Sequence, residues 1–189
     1  MEMNANHRIA ASPQRVWEAL NDVEILRAAI PGCESLEAGE GDTLQARVTT
    51  RIGPVKARFT FNVSLTDLNP PNSYKIIADG QGGAAGFAKG SAAVTLSADG
   101  ADTLLAYHAQ AQVGGKLAQL GARLIDGTAK KLADEFFTNF SALVTDGESQ
   151  EQKAATEQQA TAVRRGVPLW VWLSIVAVAG LIGWQLLGA

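Results

Sequence analysis

Residues 43–65 read TLQARVTTRIGPVKARFTFNVSL, and apolar and polar side chains alternate on both sides of Gly53-Pro54. From Val55 to Leu65 every odd-numbered residue is apolar, and every even-numbered residue between them is polar. A period of two is typical of a strand with one buried face, and a Gly-Pro pair is typical of a turn. The stretch therefore predicts two adjacent antiparallel strands, Thr43–Ile52 and Val55–Leu65, that share one apolar face.

Further strands are predicted on both sides of this pair, where clusters of Gly, Pro, Asn and Asp mark turns. These strands are Met3–Ala10, Ser73–Gly80, Phe87–Ser97 and Thr103–Val113. Two short helices are predicted between the first strand and the pair. One begins at Ser12-Pro13, a capping serine followed by proline at the first helical position, and the other spans about 23–29.

A long helix is predicted after the last strand, over about Lys116–Thr145. Mainly apolar side chains step along it by three or four residues: Leu117, Leu120, Leu124, Thr128, Leu132, Phe136, Phe140 and Leu143. A stripe this regular packs on a flat apolar surface, and the sheet is the only candidate. The sequence therefore predicts an α+β helix-grip domain over residues 1–146, with a curved antiparallel sheet around a long C-terminal helix.

The inward face of the predicted sheet carries many small side chains, most of them alanine. Small residues opposite a helix leave space for a ligand-sized cavity, whereas the alternative is a helix that sits closer to the sheet. The residues expected to line the cavity are Ile30, Phe59, Phe61, Phe87, Tyr107, Ala109, Leu120, Leu124 and Thr128. Tyr107 has two interpretations: it donates a hydrogen bond to a ligand carbonyl, or it is a core tyrosine bonded to backbone.

Residues 167–189 contain no Asp, Glu, Lys, Arg or His. At about 1.5 Å per residue, a helix of this length crosses a hydrocarbon core of about 30 Å, so a single transmembrane helix is predicted. The flanking residues typical of such a helix are Trp170, Trp172 and Trp184 near its ends and Arg164 and Arg165 before it. Since the N-terminus has no apolar signal segment, we expect a tail-anchored protein of the cytoplasmic membrane with its N-terminal domain in the cytoplasm.

Residues 147–166 connect the two predicted parts and are rich in Glu, Gln, Ala and Thr. Val163 is the only large apolar residue among them, so the stretch has no face with which to pack a core. It is predicted to be a polar linker, and two conformations are open: a flexible tether or a solvated helix.

Composition argues against several classes of function. The formal net charge is −3 and the 16 basic residues are scattered, whereas a nucleic-acid surface clusters them. Cys33 is the only cysteine and there are two histidines, so we expect no metal centre. Gly80–Ala85 matches the pattern G-x-G-x-x-A, but no helix is predicted after it to hold a phosphate. We therefore predict no catalytic residues and no enzyme activity.

Four stretches of residues 1–146 resemble the G-subunit family of carbon monoxide dehydrogenase, which belongs to the START-like (Bet v 1-like) superfamily: Ser12–Asp22, Ile30–Leu36, Gly86–Gly90 and Val113–Gly121. The resemblance implies a non-catalytic accessory protein of a molybdenum-type carbon monoxide dehydrogenase or a related hydroxylase. Such proteins are thought to bring the enzyme to the membrane and to help pass its electrons to respiratory quinone. A cavity on a membrane tether then fits a quinone, menaquinone or ubiquinone, or another lipid.

Three functions remain open from the sequence. The leading one is a membrane-anchored module that binds a quinone-like ligand and partners the dehydrogenase. The second is a recruitment anchor whose N-terminal domain binds the enzyme and no ligand. The third is an enzyme acting on a small hydrophobic substrate, an activity that occurs among START-like proteins.

Overall fold

The computed structural model describes the backbone of residues 1–163 and the side-chain environment of residues 1–145. The strands are β1 (Glu2–Ile9), β2 (Cys33–Ala38), β3 (Thr43–Ile52), β4 (Val55–Asn69), β5 (Ser73–Gln81), β6 (Phe87–Asp99) and β7 (Asp102–Gly114). The helices are α1 (Pro13–Leu20), α2 (Val23–Ala29) and α3 (Ala122–Val163). The strands form one antiparallel sheet in the order β1-β7-β6-β5-β4-β3-β2. The predicted α+β helix-grip arrangement is confirmed.

Strand β2 is the one element of the sheet that the sequence does not predict. It is an edge strand that pairs only with β3, and of its six residues only Leu36 is buried. A strand with a single buried side chain shows no alternation of apolar and polar residues, so the pattern that identifies its neighbours is missing here.

The two short helices begin where the sequence predicts. The Ser12 side chain accepts a hydrogen bond from the Arg15 backbone N–H, and Pro13 is the first residue of α1. The Asp22 carboxylate accepts from the backbone N–H groups of Glu24 and Ile25 and caps α2 in the same way. Both caps satisfy backbone donors that a helix start leaves without intrahelical partners.

The long helix begins six residues later than predicted, at Ala122 instead of Lys116. The intervening chain turns at Gly115 (φ +73°) and Gly121 (φ +85°), where residues other than glycine are disfavoured. Between them the Leu117 backbone N–H donates to the Ala85 carbonyl, which holds this segment against the loop that precedes β6. The predicted stripe is therefore broken, and Leu117 and Leu120 belong to a separate short turn of 3-10 helix.

At its other end α3 continues past the predicted boundary at Thr145 and is described as far as Val163. The backbone of residues 147–163 is therefore helical, which is the second of the two conformations open for the linker. The compact unit Met1–Glu148 carries the sheet and every side chain discussed below.

Two packed clusters fill the ends of the space between sheet and helices. The larger cluster lies beneath α1 and the middle of α3, and its most buried members are Ile9, Val16, Leu105, Phe140 and Val144. The smaller cluster, at the opposite end of the sheet, consists of Ala57, Phe59 and Leu117 with their apolar neighbours. The middle of the sheet lies between these clusters and is the place where α3 leaves space.

No helix within residues 1–163 is long and apolar enough to cross a membrane. The predicted transmembrane helix 167–189 and the flanking residues Arg164, Arg165, Trp170, Trp172 and Trp184 all lie outside the described residues.

Candidate ligand-binding cavity

A cavity of about 470 Å³ lies between the middle of the sheet and α3. Small-molecule sites in proteins measure about 300–1,000 Å³ and are lined mainly by apolar and aromatic side chains. All the described lining residues here are uncharged, and their only polar side-chain atoms are the hydroxyls of Tyr74 and Tyr107. The cavity therefore suits an apolar molecule that makes one or two hydrogen bonds.

Small side chains on neighbouring strands create this space. Ala92 on β6 lies between Ile76 on β5 and Ala109 on β7 in the sheet register, and all three line the cavity. Across from them α3 contributes Leu132 and Phe136. Because alanine fills little of the layer between sheet and helix, the two layers remain apart at this row.

Phe61 forms part of the wall on β4, and a glycine determines its position. A Cβ atom at Gly80, the residue opposite Phe61 on β5, would lie 2.2 Å from Cε1 of the Phe61 ring. No side chain can occupy that place without moving the ring. The absence of a side chain at Gly80 thus lets the phenyl ring lie across the backbone of β5, at the edge of the cavity.

Tyr107 faces the cavity from β7 and belongs to a group of three nearly parallel rings. Its ring centroid is 5.5 Å from that of Phe137 on α3 and 6.0 Å from that of His7 on β1. Burial, with a smaller contribution from the Asp134 carboxylate, raises the pKa of Tyr107, so the phenol stays protonated at neutral pH. The hydroxyl is therefore a hydrogen-bond donor held in an apolar wall.

Tyr74 on β5 is the second polar residue of the lining, and only 6 % of its surface is exposed. Its ring meets Trp17 of α1 edge to face, with the centroids 5.5 Å apart. Burial raises the pKa of Tyr74. Tyr74 is not among the residues predicted to line the cavity, although the alternation of Tyr74, Ile76 and Ala78 in the predicted strand Ser73–Gly80 places it on the inward face.

Four of the residues expected to line the cavity do so: Ile30, Phe61, Tyr107 and Ala109. Lining residues that the prediction leaves out include Leu132 and Phe136, which belong to the predicted stripe, and Phe137, which lies beside it. The middle of the stripe on α3, and not its beginning, faces the cavity.

Phe59, Leu120 and Phe87 lie elsewhere, because the two ends of the sheet are closed by packing. Phe59 is buried in the smaller cluster, and Leu120 packs against that cluster from the turn before α3. Phe87 is the first residue of β6, and its ring lies against Gly114 at the end of β7. All three residues help to close one end of the space instead of lining its centre.

Leu124 and Thr128 also lie outside the cavity, since α3 begins only at Ala122. Leu124 is 39 % exposed and packs beside Gly53 in the β3–β4 turn. Thr128 donates a hydrogen bond to the Leu124 carbonyl and lines a smaller groove of about 240 Å³. This groove adjoins the cavity, because Pro31 and Leu132 line both.

Among residues 1–145, whose side chains the structure describes, no group of three or more His, Cys, Asp or Glu could hold a metal ion. Cys33 is half-buried, and burial raises the pKa of its thiol, which is the opposite of the shift that activates a cysteine nucleophile. The side chains that line the cavity offer apolar contact and, at Tyr74 and Tyr107, hydroxyl groups.

Comparison with known proteins gives one family match. The model of the CoxG family, the G subunits of carbon monoxide dehydrogenase, matches residues 6–145. A conserved protein from Geobacillus kaustophilus has a similar structure, with 32 % sequence identity, a TM-score of 0.73 and coverage of 77 % of this chain and 96 % of that one. No curated protein matches the chain significantly.

More distant structures share only the fold. A START superfamily protein from Mycobacterium smegmatis is 16 % identical, with a TM-score of 0.59 over 77 % of this chain and 97 % of that one. The Zhui aromatase/cyclase from Streptomyces sp. R1128 is 14 % identical, with a TM-score of 0.56 over 77 % and 93 % of the two chains. At such identities the likeness establishes a START-like fold and nothing about activity.

Proposed function

The chain belongs to the CoxG family of accessory subunits of carbon monoxide dehydrogenase, and from that premise we propose a more specific role. In this proposal the protein is a non-catalytic, membrane-anchored partner of a molybdenum-type carbon monoxide dehydrogenase or related hydroxylase. It holds a quinone, menaquinone or ubiquinone, in its cavity and so links the enzyme to the respiratory chain.

The cavity is the observation that supports quinone binding. A quinone has a flat ring, two carbonyl oxygens and an apolar tail. The lining offers aromatic faces at Phe61, Phe136 and Phe137 and a protonated hydroxyl at Tyr107. Aromatic rings stack on flat rings, and a phenol donates to a carbonyl, so the residues present fit this ligand.

When bound, a quinone supplies an acceptor for two electrons and two protons. The part played by this chain's own residues is to bind and to shield. The apolar wall keeps water from the ring, and Tyr107 fixes one carbonyl by hydrogen bonding. The groove beside Pro31 and Leu132 adjoins the cavity and is the side from which we expect a ligand to enter.

The apolar segment 167–189 supports the membrane location, since it is long enough to span a bilayer and carries no charge. In the proposal this segment anchors the chain, and the domain of residues 1–146 meets both the quinone pool and the enzyme. The recruitment-only alternative keeps the anchor and leaves the cavity without a role.

The test uses cells that contain the dehydrogenase together with one of four forms of this protein. The forms are the wild type, a deletion of 167–189, Ala109→Trp and Ala93→Trp. Ala109 lines the cavity, whereas Ala93 lies on the exposed face of the neighbouring strand and serves as the matched control. Dehydrogenase in the membrane fraction and carbon monoxide-dependent quinone reduction are measured in each.

We expect the deletion to release both the chain and the enzyme into the soluble fraction. Ala109→Trp should leave the enzyme at the membrane and lower quinone reduction, while Ala93→Trp behaves as wild type. If Ala109→Trp folds and leaves quinone reduction unchanged, the cavity has no part in electron transfer and the recruitment-only function stands.

A further inference from the structure

The hydroxyl of Tyr74 is the least explained polar group in the cavity. It accepts and donates no hydrogen bond within the described residues, although only 6 % of the residue is exposed. The hydroxyl oxygen keeps some accessible surface, since the buried side-chain atoms without a partner among the described residues are His7 Nε2 and Arg15 Nε. A hydroxyl that has no protein partner and keeps accessible surface can pair with water or with a ligand that enters the cavity.

Tyr74 and Tyr107 lie in one cross-strand row of the sheet. In the register Tyr74 on β5 pairs with Val94 on β6, and Val94 pairs with Tyr107 on β7. Adjacent strands lie about 4.8 Å apart, so the Cα atoms of the two tyrosines are separated by about 10 Å. Both side chains line the same cavity, and the valine between them is apolar.

Each phenol ring is positioned by an aromatic residue of the helical layer. Trp17 of α1 meets Tyr74 edge to face, and Phe137 of α3 lies nearly parallel to Tyr107, with the planes 15° apart. Rings packed in this way are fixed before a ligand arrives. The two tyrosine rings are thus preorganised in the cavity lining, which lowers the entropy cost of binding.

The charge of the lining limits the ligand class. Among the described lining residues there is no Lys, Arg or His, and no Asp or Glu. An ionised carboxylate held among these lining residues would have no cation as partner, which is a large penalty. The cations Arg51 and Lys131 line the adjoining groove and not the cavity. A neutral carbonyl needs only a hydroxyl donor, and burial, which raises the pKa of Tyr74, keeps that hydroxyl protonated.

We propose that Tyr74 is a ligand-contact residue whose hydroxyl donates a hydrogen bond to a carbonyl oxygen, and that with Tyr107 it makes the cavity selective for uncharged, carbonyl-bearing apolar molecules over fatty-acid anions. The inference rests on the proposed function in one respect, namely that the cavity holds a ligand. It adds the residue that fixes the ligand and the class of molecule that the cavity rejects.

The experiment uses the full chain, delipidated in mild detergent, as wild type, Tyr74→Phe and Thr95→Val. Thr95→Val removes a hydroxyl on the opposite, exposed face of β6 and is the control. Binding is measured by calorimetry for four probes of matched chain length: an alkyl benzoquinone, a methyl ketone, a fatty acid at neutral pH, and an alkane. Thermal unfolding of the empty protein is recorded for each variant.

For wild type we expect the quinone and the ketone to bind and the fatty acid to bind at least about tenfold more weakly. Tyr74→Phe should weaken the quinone and the ketone by about three- to tenfold and leave the alkane unchanged. The melting temperature of empty Tyr74→Phe should stay close to that of wild type, because the hydroxyl makes no hydrogen bond to the described protein residues. Thr95→Val should match wild type in every measurement.

Three results would overturn the inference. Unchanged binding of quinone and ketone to Tyr74→Phe would show that the hydroxyl touches no ligand. A fatty acid that binds as tightly as the ketone would contradict the selectivity. A lower melting temperature of empty Tyr74→Phe would show that the hydroxyl supports the fold. If wild type binds none of the probes, the proposed function itself fails, which is distinct from these three results.

Discussion

Phe137 on α3 stacks on His7 on β1, with the ring centroids 3.8 Å apart and the planes 16° from parallel. The Tyr107 ring is nearly parallel to the His7 ring, with the planes 2° apart, and it also stacks with Phe137. This contact joins the edge strand of the sheet to the helix. It also closes one side of the cavity, since Tyr107 and Phe137 belong to the lining.

The stack predicts a dependence of stability on pH. Burial lowers the pKa of His7 in the folded protein, an effect that the nearby Asp134 carboxylate opposes. A histidine with a lowered folded pKa binds its proton more readily in the unfolded chain. Stability is therefore lost as pH falls through the unfolded value of about 6.5.

Urea unfolding at about pH 7.5 and pH 5.5 measures this effect on either side of the histidine pKa. The midpoint of wild type should fall between the two pH values by more than the midpoint of His7→Phe, which keeps the stack and removes the titrating group. An equal fall in both proteins would show that His7 does not carry this pH dependence.

Gly80→Ala should destabilise the protein by about 1–3 kcal/mol, because overpacking forces neighbouring groups to move. The new Cβ would lie 2.2 Å from Cε1 of Phe61, and the ring would have to shift at the cavity edge. Gly127→Ala is the matched control, since a Cβ at Gly127 on α3 meets nothing within 4 Å. In a helix that change should stabilise by about 0.5–1 kcal/mol.

Chemical denaturation of the two variants measures whether Gly80→Ala destabilises the protein while Gly127→Ala does not. If Gly80→Ala were as stable as wild type and retained the same amount of ligand, the position assigned to the Phe61 ring would be wrong.

Phe140 and Leu124 belong to the same predicted stripe, yet truncating them should have different effects. Phe140 is fully buried, with 0 % of its surface exposed, and Leu124 is 39 % exposed. Phe140→Ala should cost about 3–5 kcal/mol. Leu124→Ala should cost about 1 kcal/mol or less, as is usual for a partly exposed site.

The stability losses of Phe140→Ala and Leu124→Ala are compared through their denaturation midpoints at neutral pH. Similar losses for both would mean that the stripe packs along its whole length from Leu117 onward, as the sequence alone predicts, and would contradict the late start of α3.

The sequence predicts most of this fold because apolar and polar residues alternate clearly in the strands that bury one face. Val55–Leu65 is the best example, and its partner Thr43–Ile52 pairs with it in the observed sheet. Strand β2 is not predicted because an edge strand with one buried residue shows no alternation of apolar and polar side chains. The start of α3 is predicted too early because the spacing of apolar residues does not distinguish a helix from a turn in which apolar residues recur at the same interval.

The cavity is harder to predict than the fold. Alternation shows which face of a strand points inward, so Tyr107 and Ala109 can be selected from sequence. It does not show how far along the strand the packed clusters reach, so it also selects Phe59 and Phe87, which lie at the closed end. The row that joins Tyr74 to Tyr107 depends on the register of three strands, and no local pattern in the sequence contains that register.

The proposed function depends on a quinone in the cavity, and native mass spectrometry with lipid extraction measures whether one is bound. The full chain is purified in mild detergent as wild type, Ala109→Trp and Ala93→Trp. We expect one quinone per wild-type chain, its loss from Ala109→Trp and its retention in Ala93→Trp. A folded wild-type chain that carries no quinone, or a quinone retained equally by Ala109→Trp, would contradict the proposed function.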